Sequence, residues 1–107
     1  MTFDVQLTLG AERDLEVLYD WTVLNRSLGE ADELLDALMA RAASLVEFPL
    51  KGAVPKELQV LGISEFRQVL LSPYRVIYRV VGDAVFIVMT ADGRRDMQAL
   101  LERRILE

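Results

Sequence analysis

The sequence predicts an α+β fold: an N-terminal strand, an antiparallel helix hairpin packed on an antiparallel sheet of about four strands, and a C-terminal helix. Three observations predict it. Apolar and polar residues alternate near the N-terminus, apolar residues recur at helical spacing between residues 11 and 48, and three strand-like apolar runs follow between 64 and 90. Helices and strands are segregated along the chain, which favours α+β over a doubly wound sheet. The 107 residues suit one domain spanning 1–107. A chain of this size buries roughly 65% of the surface it would expose unfolded.

Val5, Leu7 and Leu9 alternate with Asp4, Gln6 and Thr8, and Gly10 breaks this first strand. From Ala11 the period changes. Leu15, Leu18, Tyr19 and Thr22 fall at i, i+3, i+4 and i+7 behind acidic Glu12, Asp14 and Glu16, giving a helix over about 11–24. Residues 25–29 interrupt it. Ala31, Leu34, Leu35, Leu38, Ala42 and Leu45 then mark a second helix over about 30–48, which Pro49 ends. So short a connection folds the two helices into a hairpin. Gly52, Pro55 and Gly62 make residues 51–62 an ordered surface loop.

Strands are predicted over 64–71, 74–81 and 84–90, with Ser72-Pro73 between the first two and Gly82-Asp83 as a two-residue hairpin turn. Met97, Leu100, Leu101 and Ile105 share one helical face, so 94–105 reads as a helix with Asp92 as its N-cap. Met39, Met89 and Met97 are read as core fillers, and Tyr19 and Trp21 as helix-packing residues.

The chain contains no cysteine and no histidine. Disulfides, Cys/His zinc sites, and catalysis by a Ser–His or Cys–His pair are therefore excluded. No phosphate-binding glycine pattern occurs, no carboxylate pair stands out, and no metal or cofactor is implied. The N-terminus lacks the pattern of a signal peptide, and the longest apolar run, 84–91, is far too short to span a bilayer, so a cytoplasmic protein without a membrane partner is expected. The net charge of −5 is uneven. Residues 1–50 hold three basic and ten acidic side chains, a net of −7, whereas residues 51–107 hold nine and seven, a net of +2. The second half can present a local basic face.

Arg67, Arg75, Arg79, Arg94 and Arg95 are the candidates for that face. Arg75 and Arg79 stand at i and i+4 of one strand, Arg67 lies on its neighbour, and Arg94 and Arg95 follow the last strand, so hairpins can gather all five into one patch. The plain alternative is a set of solvated arginines whose stems cover apolar surface. Arg94 and Arg95 are placed in a helical first turn, where cations are disfavoured by ~0.3–1 kcal/mol each; Asp92 and Asp96 are available to neutralise them.

These residues, taken in order, resemble the RelE/ParE superfamily of toxins from type II toxin–antitoxin systems. The resemblance runs over nearly the whole chain: Ala11-Glu12-Arg13-Asp14-Leu15, Phe48-Pro49, the Gly52…Pro55…Leu58 loop, Phe66-Arg67, Tyr74-Arg75-Val76-Ile77-Tyr78, Gly93-Arg94-Arg95-Asp96 and Leu101-Glu102-Arg103-Arg104-Ile105-Leu106. It implies one of two activities. RelE-like members cut messenger RNA on the ribosome; ParE-like members bind DNA gyrase and poison it. Both are silenced by a cognate antitoxin, of ParD or RelB type, in a hetero-oligomeric complex.

For cleavage, the resemblance implies Arg67, Arg75 and Arg95 around the scissile phosphate. The family's second lysine position falls at Val69, and its C-terminal tyrosine position falls near Leu101. Tyr74 and Tyr78 read as strand-packing residues, and arginine is a poor general base. Phosphate-holding groups are thus partly present and proton-transfer groups absent, which favours the ParE-like branch. The acidic total charge also suits an RNA ligand badly. An antitoxin is expected to lay an amphipathic helix or strand on exposed apolar residues of the sheet or last helix, with Met97, Leu100, Leu101 and Arg104 as candidate contacts.

Overall fold

A computed structural model describes residues 2–106 of the chain. Strand β1 spans Asp4–Leu7, helix α1 Leu9–Asn25 and helix α2 Leu28–Ala43, which passes through a 3-10 turn at Ser44–Val46. Helix α3 is one turn, Lys56–Gln59; strands β2, β3 and β4 span Phe66–Leu71, Tyr74–Val81 and Ala84–Asp92, and helix α4 spans Met97–Leu106. The predicted order of strands and long helices is the observed one; the one-turn helix α3 is added inside the stretch predicted as a loop.

Several boundaries move for identifiable reasons. The first strand ends before Leu9 because Thr8 caps α1, its hydroxyl accepting the Ala11 N–H at 3.2 Å. Helix α2 starts at Leu28 because Ser27 caps it, accepting the Glu30 N–H at 3.0 Å while Glu30 returns a carboxylate to the Ser27 hydroxyl. Inside the 51–62 loop, Pro55 leads into α3, whose hydrogen bonds begin at the Pro55 carbonyl. The last helix begins at Met97, not at Arg94. Asp96 caps it, accepting the Ala99 N–H at 3.1 Å, so Asp92 is not its N-cap.

The sheet order is β1-β4-β3-β2, with β2–β3 and β3–β4 antiparallel and β1 parallel to β4. Parallel pairing is the one departure from the expected antiparallel sheet. It follows from the long helix hairpin between β1 and the later strands, which allows β1 to return in the same direction.

Both faces of the sheet are covered. Val69, Val76, Tyr78, Val85 and Ile87 pack with Ala11, Leu38, Ala42 and Leu45 of the hairpin side. Phe66, Ile77, Met89 and Ala91 pack with Leu58 of α3 and Met97 and Leu101 of α4. A β-bulge makes this two-sidedness possible: Ile77 pairs with Met89 but Tyr78 pairs with Ile87, leaving Val88 over. Val85 and Ile87 therefore serve one core, and Met89 and Ala91 the other. The unbroken apolar run of β4 is the sequence trace of a strand buried on both sides. Among the described residues no helix is long and apolar enough to cross a membrane.

Candidate functional site

Strand register separates the five arginines that the sequence gathers. Arg67 pairs with Tyr78 and so shares its face, toward the hairpin. Arg75 and Arg79 share the opposite face with Ile77. The expectation of one five-arginine patch is therefore wrong, because directly paired residues point the same way and Arg67 falls out of phase with Arg75 and Arg79.

Two of the five are occupied by the fold itself. Arg75 donates through both terminal nitrogens to both carboxylate oxygens of Glu57 at 2.8 Å each, and its Nε donates to Gln68 Oε1 at 2.7 Å. The paired side chains are only 12% and 10% exposed. These bonds hold the Glu57 carboxyl below its ordinary value. Arg67 donates to the Gly52 carbonyl at 2.7 Å and the Leu50 carbonyl at 3.2 Å. The Gly52 N–H in turn donates to the Tyr78 hydroxyl at 3.0 Å. That hydroxyl is buried, and burial pushes its pKa up, so Tyr78 stays protonated. Arg79 is exposed, its guanidinium 5.8 Å from the centre of the Phe66 ring.

Arg94 and Arg95 lie elsewhere, in the turn between β4 and α4, and with no helical first turn around them the expected dipole penalty does not arise. They border a cleft of about 470 Å³ between α1 and the ends of β3 and β4, together with Trp21, Tyr74 and Asp92. Arg94 folds back on Asp92, its NH2 reaching Oδ2 at 2.6 Å and its Nε reaching Oδ1 at 3.0 Å. These bonds keep the Asp92 carboxyl below its ordinary value, so it remains ionised and engaged. Arg95 is exposed, and among the described residues it enters no ion pair. At the floor, Asp14 accepts the Thr90 N–H at 3.0 Å and pairs with Arg104 at 2.8 Å, tying α1, β4 and α4 together.

Residues 5–97 match the family model of the ParE toxin of type II toxin–antitoxin systems. That match covers most of the chain. The chain belongs to the ParE toxin family. The toxin's fold is similar to that of the chromosomal ParDE toxin–antitoxin system from P. aeruginosa, with TM-score 0.71 at 19% identity over 85% of this chain and 96% of that one. It is also similar to the RelBE2 toxin–antitoxin complex from Mycobacterium tuberculosis, with TM-score 0.62 at 22% identity over 86% and 99% of the two chains. A mutant of the E. coli toxin RelE in the free state gives TM-score 0.58 at 18% identity over 98% and 99%. No curated protein matches the toxin.

Other expectations change with the toxin's geometry. Met97 is 4% exposed and Leu101 fully buried, so neither is a surface contact of this conformation; both fill the core beneath α4. Leu100 is half-buried against the same core, and Arg104 is held by Asp14 and the Val88 carbonyl. Met39 is exposed rather than a core filler, and Trp21 is 53% exposed rather than packed between helices. Trp21 is the cleft residue that sequence reasoning missed. Its signal was there: Val17, Trp21 and Leu24 form a second apolar row at i, i+4 and i+7 beside the inward row of Leu15, Leu18 and Thr22. Glu57 gave no such signal, since only folding brings it to Arg75. Among the described residues no cluster of three potential metal ligands exists.

Proposed function

We propose that this toxin works by binding, as a ParE-like inhibitor of DNA gyrase, and is neutralised in a complex with a cognate antitoxin. The observation that carries this reading is the bidentate Arg75–Glu57 pair. A phosphate cradle needs guanidinium groups with open donors, and Arg75 has its terminal donors on a carboxylate while Arg67 is bound to two carbonyls. What stays available in the cleft is the exposed Arg95 beside Trp21, a combination suited to a protein surface, since Arg94 is held by Asp92. The ParDE and RelBE2 complexes among the similar folds support an antitoxin partner.

A second reading has one observation in its favour. Tyr74, half-buried, borders the same cleft as Arg95, so a hydroxyl and a cation lie together where RNA cleavage would need them. Purified gyrase supercoiling, with and without toxin, separates the two. The binding reading expects inhibition that survives Tyr74→Phe and weakens in Arg95→Ala. Intact supercoiling together with messenger cleavage on ribosomes, abolished by Tyr74→Phe, would replace it with the RNase reading.

A further inference from the structure

Strand β2 is one edge of the sheet, and its outer side is only partly covered. Peptide groups alternate between the two sides of a strand. Gln68 turns outward, its N–H donating to the Ala53 carbonyl at 2.9 Å, so Leu70, two residues on, turns outward as well. The Leu70 carbonyl accepts Arg41 Nε at 3.0 Å on that side. Its N–H faces the same way, and no acceptor among the described residues meets it there. A groove of about 430 Å³ opens at this point, between Arg41, Lys51 and Ala53 on one side and Gln68, Val69 and Leu70 on the other. Every charge in its lining is positive. Arg41 and Lys51 are exposed, neither enters an ion pair among the described residues, and Arg41 spends only its Nε on the fold.

We propose that this groove docks an extended acidic segment of the target enzyme, laid against β2 so that one of its carbonyls accepts the Leu70 N–H and a carboxylate falls between Arg41 and Lys51. The inference rests on the gyrase reading above and adds a contact apart from Arg95. The preceding loop already shows the geometry. Ala53 runs antiparallel to Gln68 for a single pair, and Leu70 is the next outward position along the same edge. Backbone pairing supplies affinity at such an edge, and the flanking side chains select the occupant. Here they select by charge: a carboxylate completes Arg41 and Lys51, and a basic or neutral strand leaves both unanswered. Their sign is that of Arg95, so one acidic target surface suits both contacts. A nucleic-acid strand fits poorly, because Ala53, Val69 and Leu70 offer no ring for a base to stack on. A second copy of the chain fits poorly too. Its acidic excess sits mainly on α1 and α2, which are helical and cannot pair with a strand edge.

The test uses the full toxin and purified gyrase, with affinity measured by biolayer interferometry and folding by thermal melts. The variants are Arg41→Glu, Lys51→Glu, Leu70→Pro and Leu70→Ala, with Arg103→Glu as an exposed cation on α4. The charge reversals are expected to weaken binding about tenfold each and to flatten its dependence on salt, while Arg103→Glu binds as wild type. Proline is tolerated where an edge N–H faces outward, so Leu70→Pro should fold yet bind more weakly than Leu70→Ala, which keeps the N–H. Should Leu70→Pro fail to fold, the two charge reversals decide. Wild-type affinity in both reversals would overturn the groove and leave the gyrase reading intact. No binding of gyrase by wild type would overturn the reading and the groove together. Loss of antitoxin or RNA binding in Lys51→Glu, with gyrase binding unchanged, would overturn the occupant.

Discussion

Arg75 and Glu57 meet face to face, two nitrogens on two oxygens at 2.8 Å, and so fasten the single turn of α3 to strand β3. Gln68 and Gln98 extend the contact, Gln68 accepting from Arg75 and Gln98 donating to the Glu57 carbonyl at 3.2 Å. The pair therefore joins the loop, β2, β3 and α4. It also explains why an arginine that looks functional in the sequence is structural in the fold.

Removing one member leaves a largely buried charge alone. Arg75→Ala and Glu57→Ala are each expected to destabilise the toxin by roughly 3–5 kcal/mol. Chemical denaturation checks this, and the loss of toxicity in Arg75→Ala should follow the loss of folded protein. A fully stable but inactive Arg75→Ala protein would restore Arg75 as a target contact.

Stability should fall in acid through Glu57. Its carboxyl titrates below its ordinary value of 4.5 in the folded state. The stabilisation is therefore complete above about pH 4.5 and is lost as pH drops through the lowered folded value. Denaturation series at pH 7, 4.5 and 3 should show a steeper decline in wild type than in Glu57→Gln. Parallel declines would assign the acid sensitivity to other carboxylates.

Gly52 is held from two sides, by Tyr78 and by Arg67. Tyr78→Phe removes the acceptor of a buried N–H and is expected to cost about 1–3 kcal/mol. Gly52→Ala should be worse, because a Cβ there would stand 2.7 Å from the Tyr78 hydroxyl and closer still to the Gln68 carbonyl oxygen. Thermal melts of both variants rank the two effects; equal stability of Gly52→Ala and wild type would refute the close approach.

The Asp14–Arg104 pair holds α4 down. Arg104 is about a third exposed, so water screens the interaction and Arg104→Ala is expected to cost only about 1 kcal/mol. The effect should be local. Amide hydrogen exchange should quicken across residues 97–106 while the hairpin core stays protected. Uniform quickening would mean that α4 unfolds only with the whole chain.

Arg95→Ala should do the reverse of Arg75→Ala. It breaks no ion pair among the described residues, so the unfolding free energy should stay within the range of surface substitutions, about 0.5 kcal/mol. Growth assays of the toxin expressed alone should nonetheless show weakened toxicity. Full toxicity would return Arg95 to the solvated surface.

Local pattern alone determined the order of the strands and long helices in this protein. The period of two in 4–9, the period of 3.6 in 31–45, the apolar run of 74–81 and the breaks at Pro49 and Gly82 are written in neighbouring residues, so they could be read without a fold. The missing histidines and cysteines likewise limited the chemistry before any geometry was known. Register and pairing are another matter. The bulge at Val88 fixes which side Met89 and Ala91 face, the return of β1 makes its pairing parallel, and the approach of α3 converts Arg75 from a free cation into half of an ion pair. Each depends on residues far apart in the chain, whose meeting no local period encodes. Tertiary structure therefore decided which arginines hold the fold and which remain in the cleft beside Trp21.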